Sequence, residues 1–253
     1  MDSRGYQALP HLRLTENCLH KATDIEITRW VPHFPPRRNC PGSSGQRANQ
    51  HFPKTIHDFG GFPQDLFDVQ YPAPGNKILA KETAEIIKSA KVELDHDWGL
   101  DHGTWTVVRH MYPGATIPVL QLSIDYSKSP QYHYDLGKEL YELRKKGVLI
   151  IGSGNMVHNL RMVAWDKMNT DNYGFDWAIE MNNNFKNLIG GGNHQPLINY
   201  ESFGTAGKLA IPTPEHYLPL LYTLALQNKK ESASFFNDKA VAGSLTMTSV
   251  KIG

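Results

Sequence analysis

The 253-residue chain is expected to fold as a single α/β domain with a central, mostly parallel sheet flanked by helices. Three stretches in succession carry that expectation. TIPVLQLSI (116–124) is an apolar, β-branched run bounded by Pro113-Gly114 and Asp125, the pattern of a buried strand. DLGKELYELRKKG is an amphipathic helix closed by basic residues and Gly147. GVLIIGSGN then supplies a second buried strand over Val148–Ile151, ending in a glycine-rich turn. Strand, helix and strand in this order form a βαβ unit, which implies a parallel pair with a right-handed crossover. In open α/β sheets, ligands lie outside the carboxyl ends of such strands, where His158 falls.

The other elements follow from periodicity and punctuation. KETAEIIKSAKVEL (81–94) sets Ala84, Ile87, Ala90 and Leu94 at helical spacing. NYGFDWAIEMNNNFKNLI predicts a helix with Phe175, Ile179, Phe185 and Leu188 inward, and GGGN (190–193) a turn. TPEHYLPLLYTLALQ predicts a helix opening at Pro214, capped by Thr213, with His216 in its first turn. SLTMTSVKI alternates as a half-exposed strand does.

Residues 1–50 differ from residues 51–253. No stretch there has more than two apolar residues in succession, and VPHFPPRRNCPGSSGQ is rich in Pro, Arg, Gly and Ser. Seven Lys/Arg stand against four Asp/Glu in this head. It is expected to be poorly ordered, ahead of a compact domain over 51–253. Across the chain, Lys+Arg 26 nearly balances Asp+Glu 25, which gives no electrostatic case for nucleic acid or an anionic membrane. No apolar run approaches a spanning helix, and MDSRGYQALPHL lacks the apolar stretch of a secretory leader. Cys18 and Cys40 are the two cysteines, so neither a disulfide framework nor a cysteine zinc site is indicated. A reducing, cytoplasmic setting is expected.

The chemistry-bearing signal is a series of histidines in Gly- and Pro-marked turns. LDHGTW places His102 beside Gly103 and near Trp105, a flat wall for an aromatic ligand. GSGNMVHNL places His158 after the second buried strand, and TPEHYLP sets His216 beside Glu215. Histidine serves both as metal ligand and as acid/base near neutral pH. Each is equally readable as a loop or scaffold histidine on its spacing alone. A phosphate-cradling turn at GSGN is disfavoured, because no P-loop lysine accompanies it and the G-x-G-x-x-G spacing is absent. His57 in KTIHDFGGFP, next to Asp58, lines a pocket or shapes a turn, and His133 in SPQYHYDLGKEL borders a pocket or is structural.

Taken in order, KTIHDFGGFPQDLFDVQYPAPG, LDHGTW, SPQYHYDLGKEL, GSGNMVHNL and TPEHYLP resemble the class III extradiol ring-cleavage dioxygenases, in their 4,5-DOPA extradiol branch. The resemblance runs from about Lys54 to the C-terminus. It implies oxygen-dependent opening of a catechol ring at a non-haem metal. The resemblance makes His158 and His216 metal ligands and His102 the acid/base, with His57, Trp105 and His133 at the substrate. The implied cofactor is iron(II), with zinc as a possible bound or substituting metal that lacks the redox chemistry. The implied partners are a small catechol and O2, and nothing in the residues sets an oligomeric state. Relatives carry a Gly-His-Gly-Ser-Pro-type turn and a Ser-Ala-His-Trp-type segment near their start, both with metal-binding histidines. Neither stands in residues 1–50, where His11, His20, His33 and His51 occupy other contexts. The head thus reads as replaced, through a frame shift or wrong gene start, and the chain as written is expected to be aggregation-prone and inactive. A non-oxidative zinc-binding protein or hydrolase on the same scaffold is the alternative reading, and a non-enzymatic protein whose basic head recruits a partner is a third.

Overall fold

A computed structural model of the chain describes residues 12–17, 25–29 and 52–253. His11, His20, His33, His51, Cys18 and Cys40 lie outside the described residues. The chain opens with β1 (Leu12–Asn17) and β2 (Ile25–Arg29), then α1 (Gln64–Phe67), α2 (Lys77–Ile86), β3 (Val92–His96), α3 (His102–Met111) and β4 (Val119–Leu122). Next come α4 (Pro130–Glu139), α5 (Tyr141–Lys145), β5 (Val148–Gly152), α6 (Asp176–Gly190) and α7 (Gln195–Ile198). The chain closes with α8 (Gly204–Ala210), α9 (Leu218–Ala225), β6 (Ala233–Phe236), β7 (Ala240–Val241), β8 (Leu245–Thr246) and β9 (Ser249–Ile252). No helix among the described residues is long and apolar enough to cross a membrane.

These elements group into two compact units, Met1–Ser127 with Glu139–Ile151, and Lys128–Lys138 with Gly152–Gly253. The first holds a five-stranded sheet in the order β3-β1-β4-β2-β5. β1 runs parallel to β3, while β1–β4 and β2–β4 are antiparallel, so the sheet is mixed. The fold class is the expected α/β, but the expected β4–β5 neighbours are separated by β2. β1 and β2 come from the segment read as a poorly ordered head. The alternation in LRLTEN and IEITR suits strands too short to show as consecutive apolar runs. The rest of that head lies outside the described residues.

β4 is buried along its whole length, as its continuous apolar run dictates. Its Val119 joins Tyr71, Ala73, Leu100 and the α3 residues Trp105 and Val108 in one core, with Ile151 of β5 packed against it. The Tyr71 hydroxyl reaches the Tyr112 carbonyl at 2.9 Å and satisfies it at the end of α3. Asn76 caps α2 by accepting from Leu79 N–H at 3.0 Å. That helix stops at Ile86, eight residues short of the expected end, and 92–96 form β3 instead. The Ile87 backbone is already extended, and V-E-L-D-H alternates with a period of two rather than 3.6.

The second unit is mainly helical. The face of α6 that turns inward is Ala178, Met181, Phe185 and Ile189; Ile179, expected inside, is 42% exposed. The spacing of three, four and four residues defines the same helix period with a different phase. α9 begins at Leu218, not Pro214, because 213–217 make a turn in which Thr213 Oγ1 bonds Glu215 Oε1 at 2.6 Å rather than capping the helix. The antiparallel pairs β6–β9 and β7–β8 close the unit, with the alternating C-terminal stretch split between β8 and β9.

Candidate functional site

The sheet unit gathers an aromatic and acid/base cluster at the start of α3. Asp101 caps that helix, with Oδ1 accepting from Thr104 N–H at 3.0 Å and Oδ2 from Gln121 Nε2 at 2.7 Å. This places His102 as the first helical residue, its ring 31% exposed. His102 Nδ1 lies 2.7 Å from Asp58 Oδ1, and the same oxygen accepts the His102 backbone N–H at 3.1 Å. A carboxylate only accepts, so Nδ1 carries the proton and Nε2 is left as the basic nitrogen. The hydrogen bond to Asp58 raises the His102 pKa above the usual histidine value, and the Asp58 and Asp101 charges add to this against the opposing effect of burial. Burial works against the Asp58 anion, but the hydrogen bonds and charge of His102 prevail and hold its carboxyl below the usual range.

The neighbours of this pair are rings. Phe59 stands edge-on to His102 at 5.5 Å and to His57 at 5.8 Å. Trp105 lies 5.6 Å from His57, and its indole N–H donates to the Ile56 carbonyl at 2.9 Å. His57 donates from Nε2 to the Val69 carbonyl at 3.0 Å. His57 sits among these rings, half-buried and oriented by the backbone. Trp105, at 1% exposure, backs His57 and Phe59 instead of offering a flat open wall.

The helical unit gathers the other two histidines. The rings of His158 and His216 stack with centroids 3.7 Å apart and planes 27° apart. Backbone bonds hold both segments: Asn155 N–H to the His216 carbonyl at 2.8 Å, and His158 N–H to the Ala210 carbonyl at 2.9 Å. Asn159 N–H to Ser244 O at 3.1 Å, with Ser244 Oγ returning to Asn159 O at 2.7 Å, secures the residue that follows His158. Asn155 Nδ2 adds a bond to the Thr246 carbonyl at 2.7 Å. The glycine-rich turn is what permits this approach. A Cβ on Gly154 would stand 2.2 Å from the His216 carbonyl oxygen, and one on Gly152 2.5 Å from that of Pro219. Burial lowers the His158 pKa, with the Glu215 charge partly opposing, so the neutral imidazole that binds metals is favoured.

His133 is fully buried on α4, with Nδ1 2.9 Å from the Tyr222 hydroxyl and its ring against Tyr132 and Tyr222. The expected pocket border is thus an interior position in this structure. His194 bridges the Tyr134 hydroxyl and Gln227 Oε1, each at 2.9 Å, with its pKa lowered by burial against the Gln227 hydrogen bond. The pairing of Asp58 escapes a reading of the chain alone, because its partner lies 44 residues away. The Asp58 signal was its adjacency to His57 in KTIHDFGG.

No group of three or more His, Cys, Asp or Glu among the described residues is gathered to hold a metal ion. His158 and His216 offer two nitrogen donors, short of the three protein ligands that an open catalytic centre takes. The donors described therefore fit a metal only in part.

Comparison with known proteins identifies the family. The family model described as the catalytic LigB subunit of aromatic ring-opening dioxygenase matches residues 46–247. The 4,5-DOPA dioxygenase extradiol of Escherichia coli is 46% identical over 205 residues, covering 79% of this chain and 74% of that protein. The protein of the same name from Portulaca grandiflora is 34% identical over 210 residues, with 79% and 74% covered. A crystal structure of an uncharacterized protein from Escherichia coli superposes with a TM-score of 0.66 at 33% identity, covering 96% of this chain and 100% of that one. The chain belongs to the family of the catalytic LigB subunit of aromatic ring-opening dioxygenases, within the class III extradiol enzymes and their 4,5-DOPA branch.

Proposed function

We propose that this chain carries the machinery of an extradiol dioxygenase that opens a DOPA-like catechol with O2. The observation that carries the reading is the stacked His158–His216 pair on a backbone-braced turn, in a chain 46% identical to a 4,5-DOPA dioxygenase extradiol. His158 and His216 are the metal donors of this chain, and His102 is its acid/base group. Iron(II), when bound, supplies the activation of O2 and catechol that amino-acid side chains lack. His102 Nε2 takes a proton from a catechol hydroxyl, with Asp58 stabilising the resulting imidazolium. His57 and Phe59 present ring faces and edges to an aromatic substrate.

Two imidazoles alone hold a divalent metal weakly, so activity is expected only with iron(II) in excess and to disappear on desalting. The test is purified protein loaded anaerobically with iron(II), then given L-DOPA and air. A yellow ring-opened product with matching O2 uptake, abolished in His158→Ala and His216→Ala, supports the reading. Absence of O2 uptake at every iron concentration, with firm zinc retention, supports the non-oxidative alternative.

A further inference from the structure

We propose that Asp58 is the positioning residue of His102, fixing the proton on Nδ1 so that Nε2 alone exchanges protons with substrate. This rests on the reading of His102 as the acid/base group of a ring-opening dioxygenase.

The geometry singles Asp58 out. One of its oxygens takes both the ring N–H of His102 at 2.7 Å and the backbone N–H of the same residue at 3.1 Å. The two bonds fix the ring's rotation relative to its own backbone, which a single contact does not do. The carboxylate is shielded, its side chain 13% exposed, while the His102 ring is 31% exposed. The acid is therefore placed behind the histidine, and the histidine faces outward. Asp58 Oδ2 is buried without a hydrogen-bond partner among the described residues. A carboxylate there carries a desolvation cost that a neutral anchor of the loop avoids, and that charge is directed at the His102 ring N–H.

The segment that carries Asp58 is held by hydrogen bonds at Ile56, His57 and Asp58. Ile56 N–H bonds the Leu100 carbonyl at 2.8 Å and its own carbonyl takes the Trp105 indole N–H at 2.9 Å. His57 is tied to the Val69 carbonyl, and the Phe59 ring sits edge-on to His102 at an interplanar angle of 89°. Residues 56–59 thus form a stiff cradle for the first turn of α3. The titratable and charged groups facing His102 are Asp58 across this contact and Asp101 on its own helix cap.

Asp58→Asn separates charge from anchoring. The His102 backbone N–H keeps the amide oxygen turned toward the histidine, so the anchor and the Nδ1–H tautomer are retained and only the negative charge is lost. In metal-free protein, 15N-resolved titration of the His102 imidazole is expected to show Nδ1–H in the wild type and a midpoint moved to lower pH in Asp58→Asn. In iron-loaded protein, kcat is expected to fall roughly 10-fold or more with KM little changed, and the acid limb of the pH profile to move to lower pH. Asp58→Glu is expected to recover part of both. An unchanged His102 midpoint in Asp58→Asn, or an Nε2–H tautomer in the wild type, overturns the pairing. A shifted midpoint with unchanged kcat overturns the positioning role. Should the wild type open no ring, the dioxygenase reading fails, while the imidazole titration still decides the pairing.

Discussion

Gly154→Ala is the most direct probe of how the His158–His216 pair is built. The added methyl would stand 2.2 Å from the His216 carbonyl oxygen and 3.0 Å from its carbonyl carbon. Ordinary carbon–oxygen contact begins at about 3.3 Å, so the two segments must part by about 1 Å. The obstacle is backbone on both sides, leaving no flexible side chain to swing away. Overpacking of this kind costs about 1–3 kcal/mol. The Asn155 N–H bond to the same carbonyl, 2.8 Å long, is stretched at once. That loss adds about 1 kcal/mol. For a chain of this length each kcal/mol moves Tm by roughly 2–4 °C, so a fall of about 4–16 °C is expected. Circular-dichroism melts measure it, with Gly60→Ala as the control because its methyl meets nothing within 4 Å. The separated rings are also expected to raise the iron(II) concentration needed for half-maximal O2 uptake. A Gly154→Ala melt within about 2 °C of the wild type, or an equal fall in Gly60→Ala, would refute the close-approach argument.

Three further outcomes follow from the same geometry. Asp101→Ala removes the α3 cap and the hydrogen bond from Gln121 Nε2, costing about 1–3 kcal/mol of unfolding free energy in a urea titration. The Tm gap between wild type and Asp58→Asn depends on pH in a defined direction. The Asp58 contribution is present above its unfolded value of 3.8 and lost as pH falls through the lowered folded value. The His102 contribution is present below its unfolded value of 6.5 and lost as pH rises through the raised folded value. The gap is therefore widest between these limits, and a gap that widens steadily toward alkaline pH contradicts the pairing. Deleting residues 1–30 removes β1 and β2 and leaves β4 without either neighbour, so the truncated chain is expected in the insoluble fraction. Recovery of a soluble, cooperatively melting truncation would show that the sheet does not need them.

What could be read directly from the chain was whatever is determined locally. β4 and β5 announce themselves as continuous apolar runs, and α6 by its period. The phase of α6 was not legible, since Ile179 and Ala178 are both apolar and only packing decides which turns inward. Residues 92–94 continue a helical spacing by accident, and pairing with β1 overrides it. His57, His102, His158 and His216 stood out by type and context. Their partners did not: Asp58 finds His102, and Gly154 finds His216, only through tertiary folding. The turn at GSGN was recognisable as special, but its reason is contact with a carbonyl rather than with an anion.

The strand order β3-β1-β4-β2-β5 bears on how the molecule forms. The two earliest strands are interleaved with three that come from residues 92–152, and Leu14 is paired with Leu122. On a chain synthesised from its first residue, β1 and β2 exist long before the neighbours they will hydrogen-bond. They must wait with bare backbone edges while a hundred further residues are made, a high-contact-order arrangement that folds slowly. The local piece expected to form first is α3 with its Asp101 cap, whose contacts span few residues. Closure of the sheet is the late, concerted event, and the waiting strands are where chaperone contact or misassociation during synthesis would concentrate.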